Sequence, residues 1–150
     1  MQRELKIRID TVPDIEERIM RAGGRKGKKA TYKYVYFNQP AGDVLKITKK
    51  PEGVFKTVIK ARNGTFDIIS SDLVDNENEL MAELTTKFGV KKKIINHRSF
   101  FTLGRDKLSL NDIAGVGKIL IIEGVNPSVE VAIRIGIEKP EIITESFDNL

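Results

Sequence analysis

The stretch Gln2-Arg3-Glu4-Leu5-Lys6-Ile7-Arg8, continued by Ile9, decides the fold. Its strict alternation places Glu4, Lys6 and Arg8 on one face of a strand and Leu5, Ile7 and Ile9 on the other. The apolar face needs cover. The reverse face carries a carboxylate beside two cations, and two readings fit it. One is a half-buried strand with a solvated outer side. The other is a surface that holds a divalent metal through the carboxylate while the cations take phosphoryl oxygens.

With 150 residues, 40% of them hydrophobic, the chain suffices for one domain (1–150) that packs a core without disulfide or metal staples. It has no cysteine, which excludes a disulfide framework, a thiolate zinc site and cysteine catalysis. The first strand follows Met1 so closely that no signal peptide is expected, and no apolar run approaches a membrane span, so a cytoplasmic location is expected. The charge is unevenly distributed. Residues 1–62 hold 16 Lys and Arg against 7 Asp and Glu, whereas residues 63–150 hold 10 against 14. The basic half points to a polyanionic partner. Nucleic acid is the weaker choice, because the Arg25–Lys29 and Lys91–Lys93 clusters lack interleaved aromatics or a groove-reading motif. His97, the single histidine, stands at no triad spacing and reads as a strand residue.

Working outward from the first strand, Thr11 or Asp14 can cap a helix near 14–22, with Pro13 at its start and Gly23-Gly24 ending it. Arg25–Lys29 reads as a basic loop and Thr31–Phe37 as a strand stopped by Asn38-Gln39-Pro40. Short strands at 44–49, 54–60 and 65–69 are separated by Pro51-Glu52-Gly53 and Asn63-Gly64, both hairpin signals. Leu80, Met81, Leu84 and Phe88 form one stripe of a helix over 76–88, closed by Gly89. Strands follow at 92–103, 107–111 and 118–124. For 128–136 helix and strand both stay open.

Lys46, Lys60 and Arg98 each fall inside an expected strand, the two lysines flanked by apolar residues. Turned inward on neighbouring strands, they extend the Lys6 and Arg8 face. Such a concave surface has to be wet or filled by an anion, since unpaired buried charge is costly. Leu5, Ile7 and Val58 then lie outside, under the helices.

This order of motifs resembles the CYTH superfamily, which includes class IV adenylate cyclases, thiamine triphosphatases and inorganic triphosphatases. The family opens with Glu-x-Glu-x-Lys-x-Arg, matched by Gln2, Glu4, Lys6 and Arg8. Its Tyr-Phe-Asp resembles Tyr36-Phe37-Asn38, its Leu-Arg resembles Leu45-Lys46, and its post-hairpin lysine matches Lys60. The later Lys-x-Arg is similar to Asn96-His97-Arg98. The Asp-containing Gly-x-Gly segment resembles Asn111 through Glu123, and the closing Ser-Tyr-x-x-Leu resembles Ser146 through Leu150.

The resemblance implies an α+β fold: an antiparallel closed or nearly closed β-barrel with flanking helices, its cations and carboxylates pointing into a tunnel. It implies phosphate binding by Lys6, Arg8, Lys46, Lys60 and Arg98 and a Mg²⁺ or Mn²⁺ site at Glu4 and Glu123. The implied partner is a triphosphate-containing small molecule, such as ATP, tripolyphosphate or thiamine triphosphate, and no membrane. A homodimer is left open, and no catalytic side chain is singled out. Five family charges are missing, at Gln2, Asn38, Asn96, Asn111 and Ile121. Amides still offer oxygen donors but bring no negative charge, and isoleucine does neither. Two functions therefore stand beside each other: metal-assisted attack on a triphosphate by water or a ribose hydroxyl, and a non-catalytic polyphosphate or nucleotide binder.

Overall fold

The computed structural model of the protein describes residues 1–150. The opening stretch is β1 (Arg3–Ile9). Thr11 caps α1 (Val12–Arg21), its hydroxyl accepting from the Asp14 amide at 3.3 Å, while Pro13 sits in the first turn where its missing N–H goes unmissed. Ile15 and Ile19, one turn apart, are the residues α1 buries. Gly24 ends the connection because a Cβ there would come within 2.5 Å of Ile19 Cγ2.

There follow β2 (Arg25–Phe37), β3 (Asp43–Lys50), β4 (Gly53–Arg62), β5 (Thr65–Leu73) and α2 (Glu77–Phe88), the last capped by Asn76. The second half holds β6 (Val90–Leu103), β7 (Asp106–Ile113), β8 (Gly117–Gly124), α3 (Glu130–Arg134) and β9 (Glu141–Ile143), and ends in a 3-10 turn at Phe147–Asn149. No helix is long and apolar enough to cross a membrane.

All strand pairs are antiparallel, in the order β5-β4-β3-β2-β6-β7-β8-β1, and β1 returns to β5 to close an eight-stranded barrel. The closing seam is short: Arg3 faces Asp67 and Glu4 faces Phe66, and the Ile68 amide donates to the Gln2 carbonyl at 2.9 Å. Asp67, almost wholly buried, pins the seam between Arg3 at 2.9 Å and Arg62 at 2.7 Å. Farther along β1, its free edge takes up β9 instead.

One element type differs from the sequence expectations, and one left open is resolved. Arg25–Lys29 is not a loop but the start of β2, paired with Ser99–Thr102 of β6 across a bulge between Lys26 and Lys29. Weak local propensity is overridden there by a partner strand 14 residues long. The open choice at 128–136 resolves to the short α3.

The period-2 pattern sorts residues onto two faces. Outside, Leu5, Ile7 and Ile9 pack with Ile15 and Ile19 of α1 and Val131 and Ala132 of α3, while Leu45 and Ile47 pack under Leu84 of α2. Burying an isoleucine such as Ile19 fully contributes about 1.5–3 kcal/mol. Inside, Tyr32, Tyr34 and Tyr36 of β2 meet Ile59, Phe66, Ile119, Ile121, Ile143 and Phe147. Part of the concave face is thus an apolar core, which corrects the expectation that this face is wet or filled by an anion.

Candidate functional site: a charged cavity at one end of the barrel

Glu4, Lys6 and Arg8 occupy successive inward levels of β1, about 7 Å apart, and each level has a different fate. At the first, Glu4 stands in register with Glu123 of β8, and both line a cavity of about 350 Å³ that Lys46, Lys50, Arg98, Thr48 and Thr57 also line. Burial, and then the neighbouring charge of Glu4, push the Glu123 carboxyl up, against the pull of Arg98 and Lys107. Two like charges held face to face in this way are unfavourable until a cation or a proton arrives.

Lys46 reaches the cavity from β3, where the same parity gives Lys46, Thr48 and Lys50 one wall. Its Nζ lies 4.0 Å from the centroid of the Tyr34 ring, and it is only 8% exposed. Burial lowers its pKa from the ordinary lysine value to about 7, partly offset by Glu4. Lys50, which the sequence reading did not single out, sits over Phe55 at 4.4 Å. Its signal was present in the alternation Lys46, Thr48, Lys50, but a lysine beside a hairpin reads as solvated.

Arg98 of β6 packs against both the Tyr32 and Phe100 rings, with its guanidinium carbon at 4.7 and 4.8 Å from their centroids, and donates to Ser109 Oγ at 2.9 Å. Its Nε is buried without a partner. The aromatic faces orient the fork and leave donors free toward the cavity. The ion pairs of the barrel seam and surface include none of Lys46, Lys50 and Arg98.

At the second level, Lys6 pairs in register with Ile121, behind the cavity wall that Ile121 and Phe147 form. Its Nζ lies 3.9 Å from the Phe66 ring centroid and 4.0 Å from that of Phe147, and burial lowers its pKa. At the third, Arg8 faces Ile119 near the other end of the barrel and pairs with Glu141 of β9 at 3.7 Å. Lys60 requires a correction. It is exposed on the outer face of β4, sharing parity with Val58, which packs against the cluster under α2, whereas Thr57 and Ile59 turn inward. Val58 and Lys60 cannot lie on opposite faces of one regular strand, and apolar burial of Val58 settles which way both point.

The positions that depart from the family pattern are also informative. Asn96 Nδ2 donates to Asn111 Oδ1 at 2.9 Å and to Tyr34 at 3.3 Å, and Asn111 Nδ2 reaches Ser109 Oγ at 3.0 Å and the Ile119 carbonyl at 3.1 Å. Where the family pattern has a lysine and an aspartate, this chain has a neutral amide pair, both members 0% exposed. Asn38 is elsewhere, donating to the carbonyls of Phe88 and Gly89 at the end of α2.

No protein-family model matches the chain, and no curated protein does. Solved structures do. The PH1012 protein from Pyrococcus horikoshii superposes with a TM-score of 0.85 at 21% identity, over 100% of this chain and 99% of that one. HpAC1 from Hippeastrum, a proposed adenylyl cyclase with a dominant triphosphatase activity, gives 0.68 at 15% identity over 97% and 92%. The chain has the CYTH-like fold. A proposed adenylate cyclase from Bacillus halodurans shares this CYTH-like barrel at a TM-score of 0.61 and 12% identity, over 95% and 92%.

The CYTH-like barrel presents hard oxygen donors at Glu4 and Glu123, with Gln2 on the same cavity wall. No three or more Asp, Glu or His come together as a metal cluster. Two carboxylates and an amide could hold a divalent ion only if phosphate and water oxygens completed its shell, as they commonly do for Mg²⁺.

Proposed function

We propose that the cavity binds a triphosphate-containing compound and that the chain hydrolyses it with Mg²⁺ or Mn²⁺ held by Glu4 and Glu123. One observation carries this reading: Lys46, Lys50 and Arg98 converge on the cavity that the Glu4–Glu123 pair also lines. Lys46 and Lys50 are compact cations suited to successive phosphoryl groups, and the Arg98 fork, held by its two rings, suits a bidentate contact to one of them. The half-buried setting strengthens each contact relative to water. When bound, the ion would neutralise charge at the reacting phosphoryl group. The nearby fold relatives with cyclase and triphosphatase descriptions support the same ligand class.

A second reading, a non-catalytic binder, is favoured by Ile121 and by the neutral Asn96–Asn111 pair, which remove charges from the interior. Phosphate release from tripolyphosphate or thiamine triphosphate, and pyrophosphate release from ATP, separate hydrolase, cyclase and binder. Turnover should require added Mg²⁺ or Mn²⁺ and vanish in Glu4→Gln, while metal-free tripolyphosphate binding in that variant persists or tightens, because a repelling charge is gone. Tight binding with no release under either metal would leave the binder; no binding at all would end both readings.

A further inference from the structure

A row of inward positions runs across five strands at the open end of the barrel. Arg25 of β2 faces Thr102 of β6, Thr102 faces Lys107 of β7, Lys107 faces Glu123 of β8, and Glu123 faces Glu4 of β1. Arg25, Lys26, Thr102, Lys107 and Ser109 line a second cavity of about 320 Å³. This cavity adjoins the first through two shared residues, Glu123 and Phe100. Ser109 ties the two further, since it accepts from Arg98.

The charges of this compartment are not used up by the fold. Lys26 pairs with Glu16 at 2.9 Å, but Arg25 and Lys107 belong to none of the ion pairs of the molecule, and the one carboxylate between them and Arg98 is Glu123. Phe101 and Leu108 are each 2% exposed; the lining nonetheless shows more apolar than polar surface, and the cations of Arg25, Lys26 and Lys107, the hydroxyls of Thr102 and Ser109 and the Glu123 carboxylate are set into it. Gly27 lets the two strands close up at the bulge, since a Cβ there would lie 3.1 Å from the Phe100 carbonyl oxygen. Cations thus stand on both sides of the carboxylate pair: Lys46, Lys50 and Arg98 on one, Lys107 and Arg25 on the other.

We propose that Arg25 and Lys107 form a second phosphate-binding pair, and that the ligand is a linear phosphate chain of more than three units passing over Glu4 and Glu123 into the second compartment. This rests on the phosphate-binding reading of the first cavity. Inorganic polyphosphate and a dinucleoside polyphosphate share that chemistry, and the latter would carry its end groups out through the open end of the barrel.

The test is calorimetric titration of the full chain, in chelator and at constant ionic strength, with tripolyphosphate, linear tetraphosphate, a longer linear polyphosphate and a dinucleoside tetraphosphate. Chains longer than three should bind at least about tenfold tighter than tripolyphosphate. In Arg25→Gln/Lys107→Gln that gain should disappear while tripolyphosphate affinity stays within about twofold. Both residues are exposed, so the double variant should fold, and an unchanged melting temperature checks this. Tighter binding of the inorganic chain than of the dinucleoside compound names the first source, and the reverse order the second. Equal affinity for all lengths, or an equal loss for all of them in the double variant, overturns the second site while leaving the first intact. Failure of every phosphate chain to bind overturns the first cavity and this inference with it.

Discussion

Two neighbouring levels of the barrel interior are built from the same strands and the same inward parity, yet one is a charged cavity and the next a dry core. Glu4 and Lys6 are two residues apart on β1. Glu4 meets Glu123 in a cavity with Lys46 and Arg98, whereas Lys6 meets Ile121 and is enclosed by Phe66 and Phe147. The difference comes from the C-terminal turn. It places Phe147 in the interior and holds the surrounding segment through Lys91, which pairs with Asp148 at 3.0 Å. A cation that alternation assigns to a ligand-facing wall becomes a core group packed on aromatic faces. Inward direction and access to a ligand are therefore separate properties.

Removing the aromatic stopper is the strongest way to break this contrast. Phe147→Ala should lower stability by about 3–5 kcal/mol, through the lost packing and the cavity left beside Lys6. Chemical denaturation measures it. A loss below about 1 kcal/mol would mean that the level around Lys6 is not a packed core.

The charged end should show itself in pH dependence. Lys46 has a folded pKa of about 7, below its ordinary value. Between that pH and the ordinary lysine range the unfolded chain binds more protons than the folded one, so stability should rise as pH increases from about 7 toward 10. The penalty is fully present below about 7, where lysine is charged in both states. In Lys46→Met the rise should flatten by on the order of a few kcal/mol, as read from denaturation midpoints across that range. An unchanged slope would show that Lys46 is hydrated, and would remove the distinction between a half-buried cavity and open surface.

Lys60→Ala should have the smallest effect, because its side chain is exposed on the outer face. Stability should move by no more than about 0.5 kcal/mol, and tripolyphosphate affinity should be unchanged by calorimetry, in contrast to a clear loss for Arg98→Ala. A loss of affinity in Lys60→Ala comparable to that in Arg98→Ala would contradict the outward placement.

The sequence by itself determined the parity of β1, the hairpins at Pro51-Glu52-Gly53 and Asn63-Gly64, both longer helices and the ordered motifs of a CYTH-like barrel. These depend on neighbours within a few residues: period-2 and period-3.6 patterns, caps and turn glycines are local physics. It also named four of the residues that meet in the cavity, Glu4, Lys46, Arg98 and Glu123.

Tertiary structure alone decided the rest. The β2 start at Arg25–Lys29 forms because β6 pairs with it, and β9 is three residues long, too short for a periodic signal. Lys50 joins the cavity, Lys60 leaves it, and Lys6 is enclosed. Lys60 turns outward because its strand neighbour Val58 packs against the cluster under Leu84 of α2, and Lys6 is enclosed because Phe147 arrives from the C-terminus; both depend on contacts between segments far apart in the chain. A strand's alternation fixes which way a side chain points, but the depth at which it ends, and whether water or an anion can reach it, is set by what closes the barrel above and below it.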